Sequence, residues 1–162
     1  MIKLNKQSRQ IIPCLWFDNQ AEEAVNFYTS VFENSKIESI SYYGKEGFEI
    51  HGRKEGTVLT VGFQINGQSF TALNGGLVFK FNEAVSSQVF CDTQEQIDHY
   101  WSRLTDGGEE GQCGWLKDRF GLSWQIVPTL LPGLLTDPVK AGRVMEALMQ
   151  MKKFDIETLV RA

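Results

Sequence analysis

Leu15-Trp-Phe-Asp-Asn-Gln-Ala-Glu-Glu-Ala-Val-Asn-Phe-Tyr28 returns in outline as Val89-Phe-Cys-Asp-Thr-Gln-Glu-Gln-Ile-Asp-His-Tyr-Trp101. Each copy is an apolar strand that ends in aspartate, runs into a helix start, and closes on two adjacent aromatics. Asp18 and Asp92 lie 74 positions apart, while Phe27-Tyr28 and Tyr100-Trp101 lie 73 apart, a one-residue difference in the intervening loop. Asn19 with Glu22, and Thr93 with Gln96, read as capping boxes, in which side chains satisfy orphan amides of the first turn. Ala24, Phe27, Tyr28, Val31 and Phe32 fall on one helical face, as do Ile97, Tyr100, Trp101 and Leu104. Both faces are expected to pack on the back of a sheet.

Strand signals follow each helix. In the first half Ile37 to Tyr43 is β-rich, and Leu59, Val61, Phe63 and Ile65 alternate with polar or small residues. Asn66-Gly67 predicts a type I′ hairpin, which requires positive φ at both central positions, and Phe70 to Asn74 returns. In the second half Gly107-Gly108 ends the helix. Cys113-Gly-Trp-Leu-Lys-Asp-Arg-Phe-Gly-Leu-Ser-Trp-Gln-Ile-Val-Pro128 then reads as strand, turn and strand, with Asp118 and Gly121 bracketing the turn. Its two tryptophans and its glutamine fit the wall of a small-molecule cleft, and they fit a plain core hairpin as well.

The plan is therefore strand–helix–three strands, twice: an α+β chain with module one at 11–76 and module two at 86–128. A polar connection runs from Asn74 to Ser87 through Gly75-Gly76, and a C-terminal helical tail occupies 136–162. In the tail, Asp137-Pro138 is a helix start, and Val144, Ala147, Leu148 and Met151 form one face. A second short helix is expected from Asp155, burying Ile156, Leu159 and Val160. That apolar face must be covered by its own domain or by a partner chain.

Composition narrows the function. Over 162 residues, a net charge of −4 and a pI near 5.2 argue against nucleic acid, whose binders carry a clustered basic face. No apolar run is long enough to span a bilayer, and Met1 to Gln10 lacks the apolar core of a signal peptide, so a cytoplasmic location is expected. Cys14, Cys91 and Cys113 are odd in number and widely spaced, which excludes a disulfide framework and a zinc knuckle. They read as reduced, mostly buried structural thiols, with no histidine beside them to act as a base. Cys113 stands apart only because it opens the most distinctive motif.

Several stretches together resemble the 3-demethylubiquinone-9 3-methyltransferase-like (PhnB-like) branch of the glyoxalase/bleomycin-resistance, or vicinal oxygen chelate, superfamily. They are Pro13-Cys-Leu-Trp-Phe-Asp18 with Glu22-Glu-Ala-Val-Asn-Phe-Tyr28; Phe70-Thr-Ala-Leu-Asn-Gly-Gly76; Cys113 to Asp118 with Trp124-Gln-Ile-Val-Pro128; and the tail pieces Asp137-Pro138, Arg143-Val-Met145 and Met151-Lys-Lys153. The resemblance implies two βαβββ modules forming a cupped mixed sheet, and a homodimer, in some members with modules exchanged between chains.

It also implies a place to look for metal, since metal-dependent members set His, Glu or Gln on the first and last strands of each module. Here Ile11 to Leu15 offers no such side chain. Thr71 to Asn74 offers Asn74, Ser86 to Phe90 offers Gln88, and the last strand offers Gln125 where the motif usually carries glutamate. Neutral amides alone hold hard cations weakly, so no metal is expected. A methyl donor is not expected either, because Phe17-Asp18 passes into Asn19-Gln20-Ala21 without the glycine-rich turn that cradles such cofactors. No cofactor is assigned.

The reading is a small-organic-molecule binding protein without metal, its cleft lined by Trp16 or Phe17, Phe63, Asn74, Gln88, Trp115, Trp124 and Gln125. Strand alternation lets only one of Trp16 and Phe17 face the cup. The alternatives are a metal-dependent enzyme of glyoxalase or dioxygenase type, and the methyltransferase of the family's name; a cup filled by its own side chains is a third, structural possibility.

Overall fold

The computed structural model describes residues 11–162, which divide into two compact units, one ending at residue 80 and the other running 81–162. Each carries one copy of the repeat.

The first unit runs β1 (Cys14–Phe17), α1 (Ala21–Val31), β2 (Lys36–Tyr42), a single-turn α2 (Phe48–His51), β3 (Val58–Ile65) and β4 (Gln68–Asn74). Its four strands lie in the order β1-β4-β3-β2. β1 is parallel to β4, and the other pairs are antiparallel. The second unit runs β5 (Ser87–Cys91), α3 (Gln94–Thr105), β6 (Glu109–Glu110), β7 (Trp115–Lys117) and β8 (Ser123–Pro128). Its order is β5-β8-β7-β6, again with the first strand parallel to the last. Both units are βαβββ modules, and the α+β fold class read from the repeat is the one found.

The helix-facing side of each sheet forms the core. In the first unit Val61, Phe63, Ala72, Ala24, Val25 and Tyr28 are fully buried. Tyr28 stacks on Phe63 with ring centroids 6.3 Å apart, and Phe63 stacks on Phe70 at 5.4 Å. In the second, Ile97 and Leu104 of α3 are buried with Leu116, Ile126 and Cys91. Both hairpins have the expected chemistry. Asn66 and Gly67 have φ of 47° and 79°. Asp118 Oδ1 accepts from the amides of Phe120 and Leu122 at 2.9 and 3.0 Å, and Gly121 closes the loop at φ 85°.

Four local expectations are corrected. Asn19 does not cap α1: the helix follows Gln20, whose side chain makes no capping bond, and the Ala21 amide is taken by Asn74 Oδ1 at 2.9 Å from β4. The stretch between β2 and β3, for which the sequence predicts no helix, carries the single-turn α2 that ends at His51. A helix not read from sequence, α4 (Leu131–Thr136), precedes the tail. The connection between units is less polar than its glycines suggest, because Leu77, Val78 and Phe79 are exposed within it.

The tail consists of α5 (Ala141–Met149) and α6 (Ile156–Arg161), and its buried side is covered within its own unit. The amides of Cys113 and Gly114 donate to the carbonyls of Met151 and Lys152 at 2.8 and 2.7 Å. Gln94 donates to the Phe154 carbonyl and accepts from the Ile156 amide. Val144, Leu148, Phe154 and Leu159 are buried, whereas Val160 is 47% exposed, contrary to its expected burial.

Candidate functional site

Strand register decides which side chains can meet a ligand. In β8, Trp124 and Ile126 share a side with Leu116 of β7 and face the buried core with α3. Ser123, Gln125 and Val127 therefore point to the opposite face, away from α3 and termed the open face, with Gln125 half-buried and Ser123 and Val127 buried. Across three strands Gln88, Gln125 and Trp115 are register partners, forming one row on that face. Gln88 Nε2 donates to Gln125 Oε1 at 3.2 Å, and Gln125 Nε2 donates to Ser86 Oγ at 2.8 Å.

Trp124 does not join this row. It is buried on the helix side, and its indole N–H donates to Asp118 Oδ2 at 2.8 Å. Trp115 and Trp124 cannot be two walls of one cleft, because they stand on opposite faces of the sheet.

The same alternation sorts the first unit. Phe17 pairs with Asn74 and Trp16 with Leu73, so the two neighbours diverge. Phe17 and Phe63 are buried at 3% and 0% exposure and belong to the core. Asn74 is buried too, and its amide is fully used: Oδ1 caps α1, and Nδ2 donates to the Val58 carbonyl at 3.0 Å. Its own carbonyl accepts from the Tyr43 hydroxyl at 2.6 Å. Trp16 takes the open face. Its indole N–H donates to the Gly76 carbonyl at 2.8 Å and its ring meets the Phe79 edge at 4.9 Å, over a Gly75 whose lack of a Cβ leaves the space.

Of the eight sequence-predicted residues, Gln88, Trp115 and Gln125 come together and Trp16 stands on the open face of the other sheet. Phe17, Phe63, Asn74 and Trp124 do not line either open face.

The row is extended by residues the sequence reading missed. Ser123 pairs with Lys117, and Lys117 pairs with Glu109. Lys117 forms an ion pair with Glu83, a hydrogen bond that holds the lysine pKa up and the glutamate pKa down. With Trp115 these residues line a cavity of about 170 Å³. The signal was available in the alternation: once Trp124 is fixed inward by Asp118, Ser123 must point out. In the first unit a cavity of about 460 Å³ lies against Asn19, Glu22, Arg53 and Asn74, and Arg53 pairs with Asp18 at 2.8 Å.

No three His, Cys, Asp or Glu side chains converge to hold a metal among the described residues. His51 accepts the Arg53 amide at Nδ1, and its ring packs on Tyr43 with centroids 4.6 Å apart. His99 packs edge-on against Tyr100. Burial, with the neighbouring Asp92 carboxylate, pushes the Cys91 thiol up to about 11, so it is a poor nucleophile. Cys113 is half-buried at φ 56°, its thiol 3.6 Å from the Leu148 carbonyl, and Cys14 is exposed, against the burial expected of it.

The profile of the family described as 3-demethylubiquinone-9 3-methyltransferase matches residues 9–127. Among solved structures, a PhnB protein from Bacillus cereus carrying the same family name is 38% identical. The match covers 75% of this chain and all of that one, with a TM-score of 0.66. Protein PA1353 from Pseudomonas aeruginosa shares the fold at 17% identity over 75% of this chain and 98% of its own, TM-score 0.58. The fosfomycin resistance protein FosX from Listeria monocytogenes does so at 18% identity over 80% and 98%, TM-score 0.52. No curated protein matches the chain.

Proposed function

Because the chain belongs to the 3-demethylubiquinone-9 3-methyltransferase family of the vicinal oxygen chelate superfamily, we propose that it binds a small organic molecule on the open face of its second sheet, without a resident metal. The observation that carries this reading is the Gln88–Gln125 amide pair in register with Trp115. A flat apolar wall beside two orienting amides is the usual division of labour in a ligand pocket. The same amides fit a metal poorly. A hard divalent cation needs ligand charge to offset its dehydration, and neither glutamine supplies any.

Methyl transfer finds no support in the chain's own residues. A donor cradled at a helix N-terminus needs free amides there, and the Ala21 amide of α1 is already held by Asn74. The reading also includes a homodimer and a cytoplasmic setting. No helix among the described residues is long and apolar enough to cross a membrane.

Elemental analysis after incubation with Mn²⁺, Zn²⁺, Ni²⁺ or Fe²⁺ and gel filtration tests the metal-free site. Far less than one ion per chain is expected, and one tightly held ion per chain overturns it. The Gln125→Glu variant is expected to retain more metal than the parent, since it adds one carboxylate to the row.

A further inference from the structure

Given the open-face site proposed above, the chemistry of its ligand is set by the row Ser123, Lys117 and Glu109, beside Trp115. Ser123 is 1% exposed, and its Oγ is a buried side-chain atom with no hydrogen-bond partner. A hydroxyl both donates and accepts, and folded chains seldom leave one buried and unsatisfied. Ser123 sits on the open face, in register with Lys117, and lines the cavity of about 170 Å³. The Oγ itself has under 1 Å² of accessible surface, so the missing partner is one that enters that cavity and makes its wall yield at Ser123.

Charge narrows what enters. The Lys117 ammonium is occupied by Glu83. Glu110 also lines the cavity, but its two oxygens are held, accepting from Trp101 Nε1 at 3.0 Å and Lys152 Nζ at 3.4 Å. Glu109 pairs with Lys117 and stays on the open side. It has no hydrogen-bond partner among the described residues, and it acts on Lys117 only through space. With Lys117 offset by Glu83 and Glu110 by Lys152, the unpaired charge at the cavity is the Glu109 carboxylate, next to an indole whose face attracts cations. An anion meets that carboxylate with no cation free to receive it. A bare divalent ion finds too few charged oxygens.

The geometry points to a binding site for a small organic ammonium ion, its nitrogen shared between Glu109 and Ser123 Oγ and its carbon skeleton against Trp115. The ammonium supplies the donor that the Ser123 oxygen lacks and the positive charge that Glu109 lacks.

The test is a titration of the uniformly ¹⁵N-labelled full chain with benzylamine, benzyl alcohol and benzoate, followed by NMR at the Trp115 indole, the Ser123 amide and the Gln125 side chain. Benzylamine is expected to shift all three and to bind at least about tenfold more tightly than the alcohol or the acid. Glu109→Gln is expected to weaken it about tenfold and Ser123→Ala about threefold. Glu146→Gln, which removes the same charge from the exposed side of α5, leaves the affinity unchanged. Equal binding of benzyl alcohol at these signals overturns the ammonium site and leaves the open-face cleft standing. Benzylamine binding unchanged in both Glu109→Gln and Ser123→Ala overturns it as well. If none of the three compounds moves any of the signals, the ammonium site and the cleft fall together.

Discussion

Asn74 accepts the Ala21 amide at 2.9 Å and donates to the Val58 carbonyl at 3.0 Å, so one buried side chain joins α1, β3 and β4. The sequence offered it as a ligand donor because an asparagine at a strand end, among apolar neighbours, carries the same polarity whichever way it faces. Direction was the missing information: Asn74 is in register with buried Phe17, and hence on the helix side. The same gap misplaced Trp124, whose partner Asp118 reaches it from within the turn. Gln88 and Gln125 are reached instead through the family's ligand positions, and the register sets them side by side on the face away from α3. Asn74→Ala removes a helix cap, leaving the buried Ala21 amide without its partner and the part-buried Val58 carbonyl without one donor. The expected loss is about 2 kcal/mol of unfolding free energy, measured by urea denaturation, with no change in ligand affinity on the second sheet. A loss of affinity alone, at unchanged stability, would return Asn74 to the binding site.

Among the elements, helices with sequence-local caps were the most legible. Thr93 Oγ1 accepts from the Gln96 amide at 3.3 Å, and Gln96 Oε1 accepts from the Asp92 amide at 2.7 Å, close to the predicted capping box. Asp155 Oδ1 accepts from the Thr158 amide at 2.7 Å and starts α6 where expected. α1 was misread at its start because its cap comes from 53 residues away.

The tail is held to its unit by packing and by exposed carboxylates, and the two respond differently. Phe154 is 2% exposed and lies against Gly114, where φ is 79° and an added Cβ would fall 2.8 Å from the Ile126 carbonyl oxygen. Phe154→Ala is expected to cost about 3 kcal/mol in unfolding free energy, with faster hydrogen exchange at the Cys113 and Gly114 amides. The carboxylates act through pH. Hydrogen bonds from Thr158 hold Asp155 below its ordinary 3.8, and a bond from Lys153, with one from Gln94, does the same for Asp98. A depressed carboxyl contributes stability that is full above its unfolded pKa and is lost as pH falls through the folded value. The tail should therefore be protected at pH 6 and open progressively below about 3.8, read as protease cleavage between α5 and α6 or as exchange at the Thr158 amide. Asp155→Asn keeps an acceptor without the charge, and is expected to flatten that acid limb.

At the scale of the whole molecule, the repeat was the most legible feature because it is written in order rather than in detail. Strand, helix start and paired aromatics recur 73 to 74 positions apart, and both units fold to the same strand order from different side chains. What a repeat cannot convey is how many chains make the working particle. The proposed homodimer is drawn from the family, and within one chain no three His, Cys, Asp or Glu side chains converge to hold a metal among the described residues. Association through surface complementarity between identical chains closes most simply about a two-fold axis. Sedimentation velocity at micromolar concentration is expected to show one boundary at about twice the 18.4 kDa chain mass, unchanged by EDTA or by added Zn²⁺. A boundary at the chain mass removes the homodimer from the proposed function. A dimer that dissociates in EDTA restores a metal that the Gln88 and Gln125 amides give no reason to expect.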